Sequence, residues 1–188
     1  MSAKKKLIIV ISACMVAILA AVGVLVAVLA SKNVTIQSGV NVKYTVSSNV
    51  KGVVTASYQT KNGSPVPLGS KEYNGAEAGT GADDLGSMEG LVTLTTDDNQ
   101  IIFTFTFTNT NTEKAYTATL INEPTNSNFS VVYSCPMDGG ATATSATATT
   151  FKLAANTTTA VSYTVTYTID SAKDCSLDGN FVWQIVSD

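Results

Sequence analysis

The chain has 188 residues, 13% of them charged, and every basic residue is a lysine, since neither histidine nor arginine occurs. Without histidine there is no imidazole base or metal ligand, which excludes Ser-His-Asp and Cys-His nucleophile systems, and without arginine there is no bidentate phosphate clamp. Setting aside Lys4, Lys5 and Lys6 leaves eight lysines against 14 acids, a balance of about −6 that repels nucleic acid.

Lys4-Lys5-Lys6 opens an apolar run over residues 7–30, interrupted only by Ser12, Cys14 and small residues. As a helix it would rise about 36 Å, enough to cross a bilayer with some tilt. The lysines hold the N-terminus inside, so the polypeptide after Ala30 is expected outside. Val28-Leu29-Ala30 before Ser31 has the spacing that signal peptidase reads, whereas the run is long for a cleaved signal. Two fates therefore stay open: a membrane anchor through residues 7–30, or secretion after cleavage near Ala30. Ile11-Ser12-Ala13-Cys14 has the look of a lipobox, but only four apolar residues, Leu7 to Val10, separate it from the lysines and the run continues beyond it. A membrane-buried thiol is the better reading. The expected organisation is a signal or transmembrane segment, 1–31, and one extracytoplasmic domain, 32–188, of a size that buries a proper core.

Beyond Val34, period-two alternation replaces helical periodicity. Val40-Val42-Tyr44-Val46 and Val54-Ala56-Tyr58 read as strands, and so does the run Leu91 to Leu94. Ile101-Phe103-Phe105-Phe107 is the clearest, with Ile102, Thr104, Thr106 and Thr108 on its other face. Then come Tyr116-Ala118-Leu120, Phe129-Val131-Tyr133, Phe151 to Leu153, Val161-Tyr163-Val165-Tyr167-Ile169 and Phe181-Trp183-Ile185. About nine strands suit an all-β antiparallel sandwich, immunoglobulin-like or jelly-roll, preceded by one N-terminal helix.

Turn chemistry falls between these runs at residues 61–65, 97–99, 109–112 and 178–180. Asp97 to Asn99 is expected to close a hairpin between residues 91–96 and 101–108. Two core-poor stretches, Gly69 to Gly90 with Glu72, Glu77, Asp83, Asp84 and Glu89, and Asp138 to Thr150 with its Ala-Thr run, read as long surface loops.

Few residues invite chemistry. Cys135 and Cys175, the cysteines outside the leader, are candidates for one disulfide in an oxidising compartment, with two buried thiols as the alternative. Asp170, Asp174 and Asp178 put oxygens on one loop, but their spacing is wrong for an EF-hand and fits a solvated acidic turn better. Asn33, Asn62, Asn128 and Asn156 head glycosylation sequons, which chance supplies in so Asn- and Thr-rich a chain. Trp183, Tyr44, Tyr58, Tyr163 and Tyr167 could stack on sugar rings, yet their strand positions suit a core. No catalytic, cofactor-binding or metal residue is assigned, and no cofactor is expected.

The leader, Phe103-Thr-Phe-Thr-Phe-Thr-Asn-Thr-Asn111 and Leu153-Ala-Ala-Asn-Thr-Thr-Thr-Ala-Val-Ser-Tyr-Thr-Val165 together resemble the camelysin-like and TasA-like biofilm-matrix fibre proteins of Gram-positive bacteria. The last of these also resembles generic immunoglobulin-like bacterial surface modules. The resemblance implies a β-sandwich that assembles into surface fibres by lending a strand between neighbours, and Asn33 to Val46 is the natural donor. The proteolytic activity attached to some camelysin-like proteins is not carried over, because no histidine is present to hold a catalytic zinc. The sequence thus reads as a non-enzymatic cell-surface or matrix protein for self-association or adhesion. The alternative is a membrane-anchored carbohydrate-binding module using exposed aromatics. Carboxylate-only catalysis by the acidic loops is the weakest reading.

Overall fold

The structure, a computed structural model, describes residues 34–75, 83–134, 142–143, 149–170 and 173–188. The leader, its Cys14, Asn33 and Cys135 lie outside the described residues. Eleven strands occur among those described: β1 (Val34–Val46), β2 (Lys51–Thr60), β3 (Val66–Asn74), β4 (Asp83–Leu94), β5 (Gln100–Asn109), β6 (Tyr116–Asn122), β7 (Phe129–Ser134), β8 (Thr142–Ala143), β9 (Thr150–Leu153), β10 (Thr157–Ile169) and β11 (Cys175–Ser187). They form two sheets, ordered β4-β1-β11-β6-β9-β8 and β3-β2-β5-β10-β7. All nine strands read from the sequence are present.

Alternation sets the core. In β5 the residues from Ile101 to Phe107 bury every second side chain while the threonines between them stay half-exposed, and β10 and β11 repeat the pattern. Phe105, Phe107 and Tyr163 of one sheet meet Trp183 of the other with ring centroids 5.4, 5.0 and 5.0 Å apart, in edge-on arrangements that aromatic quadrupoles favour. The ring of Phe151 closes the same cluster from β9. Two buried hydroxyls find backbone partners: Tyr116 Oη donates to Thr108 O at 2.9 Å, tying one sheet to the other, and Tyr167 Oη donates to Pro124 O at 2.8 Å, tying β10 to the β6–β7 connection.

Three expectations are corrected. First, Gly69 to Gly90 is no surface loop where it is described: β3 and β4 occupy most of it and bury Tyr73 and Met88. These two edge strands, one from each sheet, close against each other. A Cβ on Gly69 would collide with Leu85 O and one on Gly86 with Leu68 O, so the glycines permit a backbone approach that any side chain would block. Second, Asp97 to Asn99 joins no hairpin, because β4 pairs with β1 and β5 with β2 and β10. The turn itself forms, with Asp98 N donating to Thr95 Oγ1 at 3.1 Å, but it carries the chain from one sheet to the other. Asp98 anchors that crossing to the β2–β3 turn by accepting bonds from Thr60 Oγ1 at 2.6 Å and Asn62 N at 3.0 Å. Third, the sandwich is not wholly antiparallel, since β1 runs parallel to β11 from Ile36 opposite Cys175 to Val46 opposite Ile185. Of the second expected loop, Thr142–Ala143 and Thr150 are in strands, and residues 138–141 and 144–148 lie outside the described residues.

The expected turn at residues 109–112 is a polar hub. Asn109, fully buried, donates through Nδ2 to Lys114 O and Ala154 O, both at 2.9 Å, and accepts from Asn111 N at 3.0 Å. Asn111 in turn donates to Asn49 O at 2.8 Å, so one Asn pair ties the β5–β6 turn to the β1–β2 and β9–β10 turns. Satisfying these buried carbonyls is what makes the amides affordable in the interior.

Candidate functional site

β1, the first described element, fills a slot in the middle of its sheet. It lies antiparallel to β4 and parallel to β11, and its inward side chains Ile36, Val40, Val42, Tyr44 and Val46 are buried. At about 1.5–3 kcal/mol for each apolar side chain taken fully out of water, β1 contributes roughly 10 kcal/mol of burial. That is on the scale of a whole domain's net stability, about 5–15 kcal/mol. The slot therefore has to stay filled.

Polar contacts fix the register of β1 at intervals. Thr35 N donates to Asp174 Oδ1 at 2.9 Å, Asn41 Nδ2 to Asn180 Oδ1 at 3.2 Å, and Thr45 Oγ1 to Trp183 O at 3.3 Å. Beyond the strand, Ser47 N donates to Ile185 O at 2.9 Å and Ser187 N to Ser47 Oγ at 2.8 Å. The chain then turns into the second sheet through Asn49, whose φ of 72° is a left-handed conformation that asparagine tolerates better than most residues. Ser38 is an inward exception: buried, with an Oγ that has no hydrogen-bond partner.

The aromatic residues named as sugar platforms are core. Trp183, Tyr44, Tyr163 and Tyr167 are at most 1% exposed, and Tyr58 packs half-buried against Phe103. Burial pushes the Tyr44, Tyr116 and Tyr167 phenols up from their ordinary pKa. A flat exposed stacking face is thus not built from these rings.

The acidic residues are spread out. Asp174 caps the start of β1 through Thr35, Asp178 stands opposite Gly39 on the outer face of β11, and Asp170 N donates to Asn128 O at 2.8 Å. Glu72 and Glu89 are exposed on β3 and β4, Asp84 pairs with Lys43 at 3.4 Å, and Glu77 lies outside the described residues. No group of three potential metal-ligating residues occurs among the described residues. Of the sequons, Asn62 and Asn128 are engaged in turn hydrogen bonds, and Asn156 is exposed at φ 58°.

Cys175, half-buried at the start of β11, lines a shallow groove of about 430 Å³ with Thr35, Gln37, Leu91, Asp174 and Ser176. Burial, with the Asp174 charge second, raises its thiol pKa and so disfavours the reactive thiolate. Its expected partner, Cys135, lies outside the described residues.

Sequence reasoning missed the polar clasp around β1, because Asp174, Asn180 and Ser187 are far from it in the chain and no local pattern links them. No protein-family model matches the chain, and no curated protein sequence matches it.

Proposed function

We propose that this is a non-enzymatic protein of the cell surface or extracellular matrix, whose leader takes the sandwich across the membrane and whose β1 strand is exchanged between copies. On this reading residues 7–30 are the signal or membrane helix. Self-association, or adhesion through it, is the activity. The supporting observation is the position of β1: the strand next to the leader, inserted between β4 and β11 and joined to the rest by one short turn at Ser47–Val50. Because a second copy's β1 would make the same contacts in the same slot, exchange conserves the burial that simple removal would lose, and the balance is left to the hinge and to concentration. Heterologous exchange of this kind propagates into a filament when the rotation between copies does not close.

A reversible lock tests it. In the full chain carrying Cys14→Ser, Cys135→Ser and Cys175→Ser, the pair Asn41→Cys and Asn180→Cys places two thiols opposite each other on the outer face of β1 and β11. The oxidised chain is expected to stay monomeric, and the reduced chain to polymerise like the background, by light scattering and negative-stain microscopy. Equal polymerisation of both forms would discard strand exchange. Protease shaving of intact cells tests the location, with cleavage of the domain expected.

A further inference from the structure

Among the described residues the sandwich has four outermost strands, and three of them are blunted. The free sides of β3 and β4 face each other at Gly69 and Gly86. The outermost strand of the other margin, β8, has two described residues, and its neighbour β9 carries Lys152 in an ion pair with Asp188. β7 has none of these protections. Among the described residues it pairs on one side only, with β10, and does so without a bulge from Phe129 opposite Ile169 to Ser134 opposite Thr164. Its sequence, Phe129-Ser-Val-Val-Tyr-Ser134, holds no charge, no proline and no glycine, and Val132 is 60% exposed. An uncharged, regular, β-branched edge is a template for another strand, and natural sheets normally break such edges with lysine, proline or a bulge.

We infer that β7 is a homotypic docking edge, on which the β7 of a second copy adds in antiparallel register with Val132 opposite Val132. The edge is its own complement. About this centre Ser130 faces Ser134 and Val131 faces Tyr133, so outward residues meet outward ones and the half-buried row stays on the core side. The absence of charge removes the like-charge repulsion that a domain of net negative charge would otherwise meet in self-contact. The two five-stranded sheets become one sheet of twice the width about a two-fold axis. A six-residue edge buries well under the roughly 1,200–2,000 Å² of a standard interface, so pairing is weak in dilute solution and gains from crowding on a surface. β1 stays in its slot throughout, which makes this contact independent of strand exchange.

Crosslinking with a charge swap tests it. In the full chain lacking native cysteines (Cys14→Ser, Cys135→Ser, Cys175→Ser), Val132→Cys is expected to oxidise to a dimer. Val186→Cys, at an exposed position on the outer face of the other sheet, serves as the control and is expected to give only background. Adding Ser130→Lys with Ser134→Lys puts lysine against lysine and is expected to abolish the dimer, whereas Ser130→Lys with Ser134→Glu puts opposite charges together twice and is expected to keep it. Far-UV circular dichroism checks that each variant folds. Dimer from Val132→Cys no greater than from Val186→Cys, or equal dimer from the Lys/Lys and Lys/Glu variants, overturns the assignment.

Discussion

The centre of the sandwich and its β3–β4 margin are held by different physics. At the centre, β5, β10 and β11 interlock through aromatic rings, and the contacts belong to side chains. At the margin, two glycines let one backbone lie on another, and the contacts belong to the absence of side chains. The comparison teaches that one chain closes its sheets in two ways: by filling volume where strands are long and alternating, and by removing volume where they are not.

The largest test of that contrast is Trp183→Ala. Removing the ring that touches Phe105, Phe107, Phe151 and Tyr163 is expected to destabilise the domain by about 3–5 kcal/mol, the range for a large aromatic truncated in a packed core. Denaturant unfolding at constant m-value reads this effect. A loss under about 1 kcal/mol would show that the core collapses around the void and that the contrast is overstated.

Gly69→Ala is expected to cost less, about 1–3 kcal/mol, because the added methyl meets Leu85 O and the margin must shift. The signature is local. Amide exchange should accelerate in β3 and β4 while β5 and β10 keep their protection. Uniform acceleration would mean that the margin and the centre open as one unit.

The legibility of the sequence follows the same division. β5 and β10 were readable residue by residue, since each buried position alternates with a hydroxyl over a long run. β3 and the first part of β4, residues 83–90, were not, because among their described side chains they bury only Tyr73 and Met88 and otherwise show mostly glycine, serine and acids, the composition of a loop, whereas the apolar end of β4 at Leu91 to Leu94 was legible. The turn at Asp97–Asn99 was readable as a turn, yet which sheet receives the next strand depends on Leu94 and Ile101 finding separate partners, and no local pattern encodes that. The slot around β1 was equally silent. Its alternation announced a strand, whereas its parallel neighbour is contributed by residues 175–185, at the other end of the domain.

The smallest expected effect lies away from both regions, at the Lys152–Asp188 ion pair. The hydrogen bond from Lys152 is the main reason the Asp188 carboxyl titrates below its ordinary range. A carboxylate whose pKa is lowered on folding contributes stability that is present above its unfolded value, near about 4, and is lost as pH falls through its folded value. Lys152→Met should thus be slightly less stable than the parent at neutral pH, and the two should converge in acid. A thermal melt series across pH reads the difference, and a gap that persists in acid would assign it to packing of the lysine stem.

The parallel pairing of β1 with β11 has a mechanical consequence. Both strands start at one pole of the domain, so β1 begins there while β11 ends at the opposite pole. Tension between the start of β1 and the far end of β11 would load the rungs between Ile36 and Val46 together, in shear, instead of peeling them one at a time. Pulled apart from its two ends, such a domain should yield abruptly at high force, and single-molecule pulling would show one tall rupture where an unzipping ladder gives a low plateau.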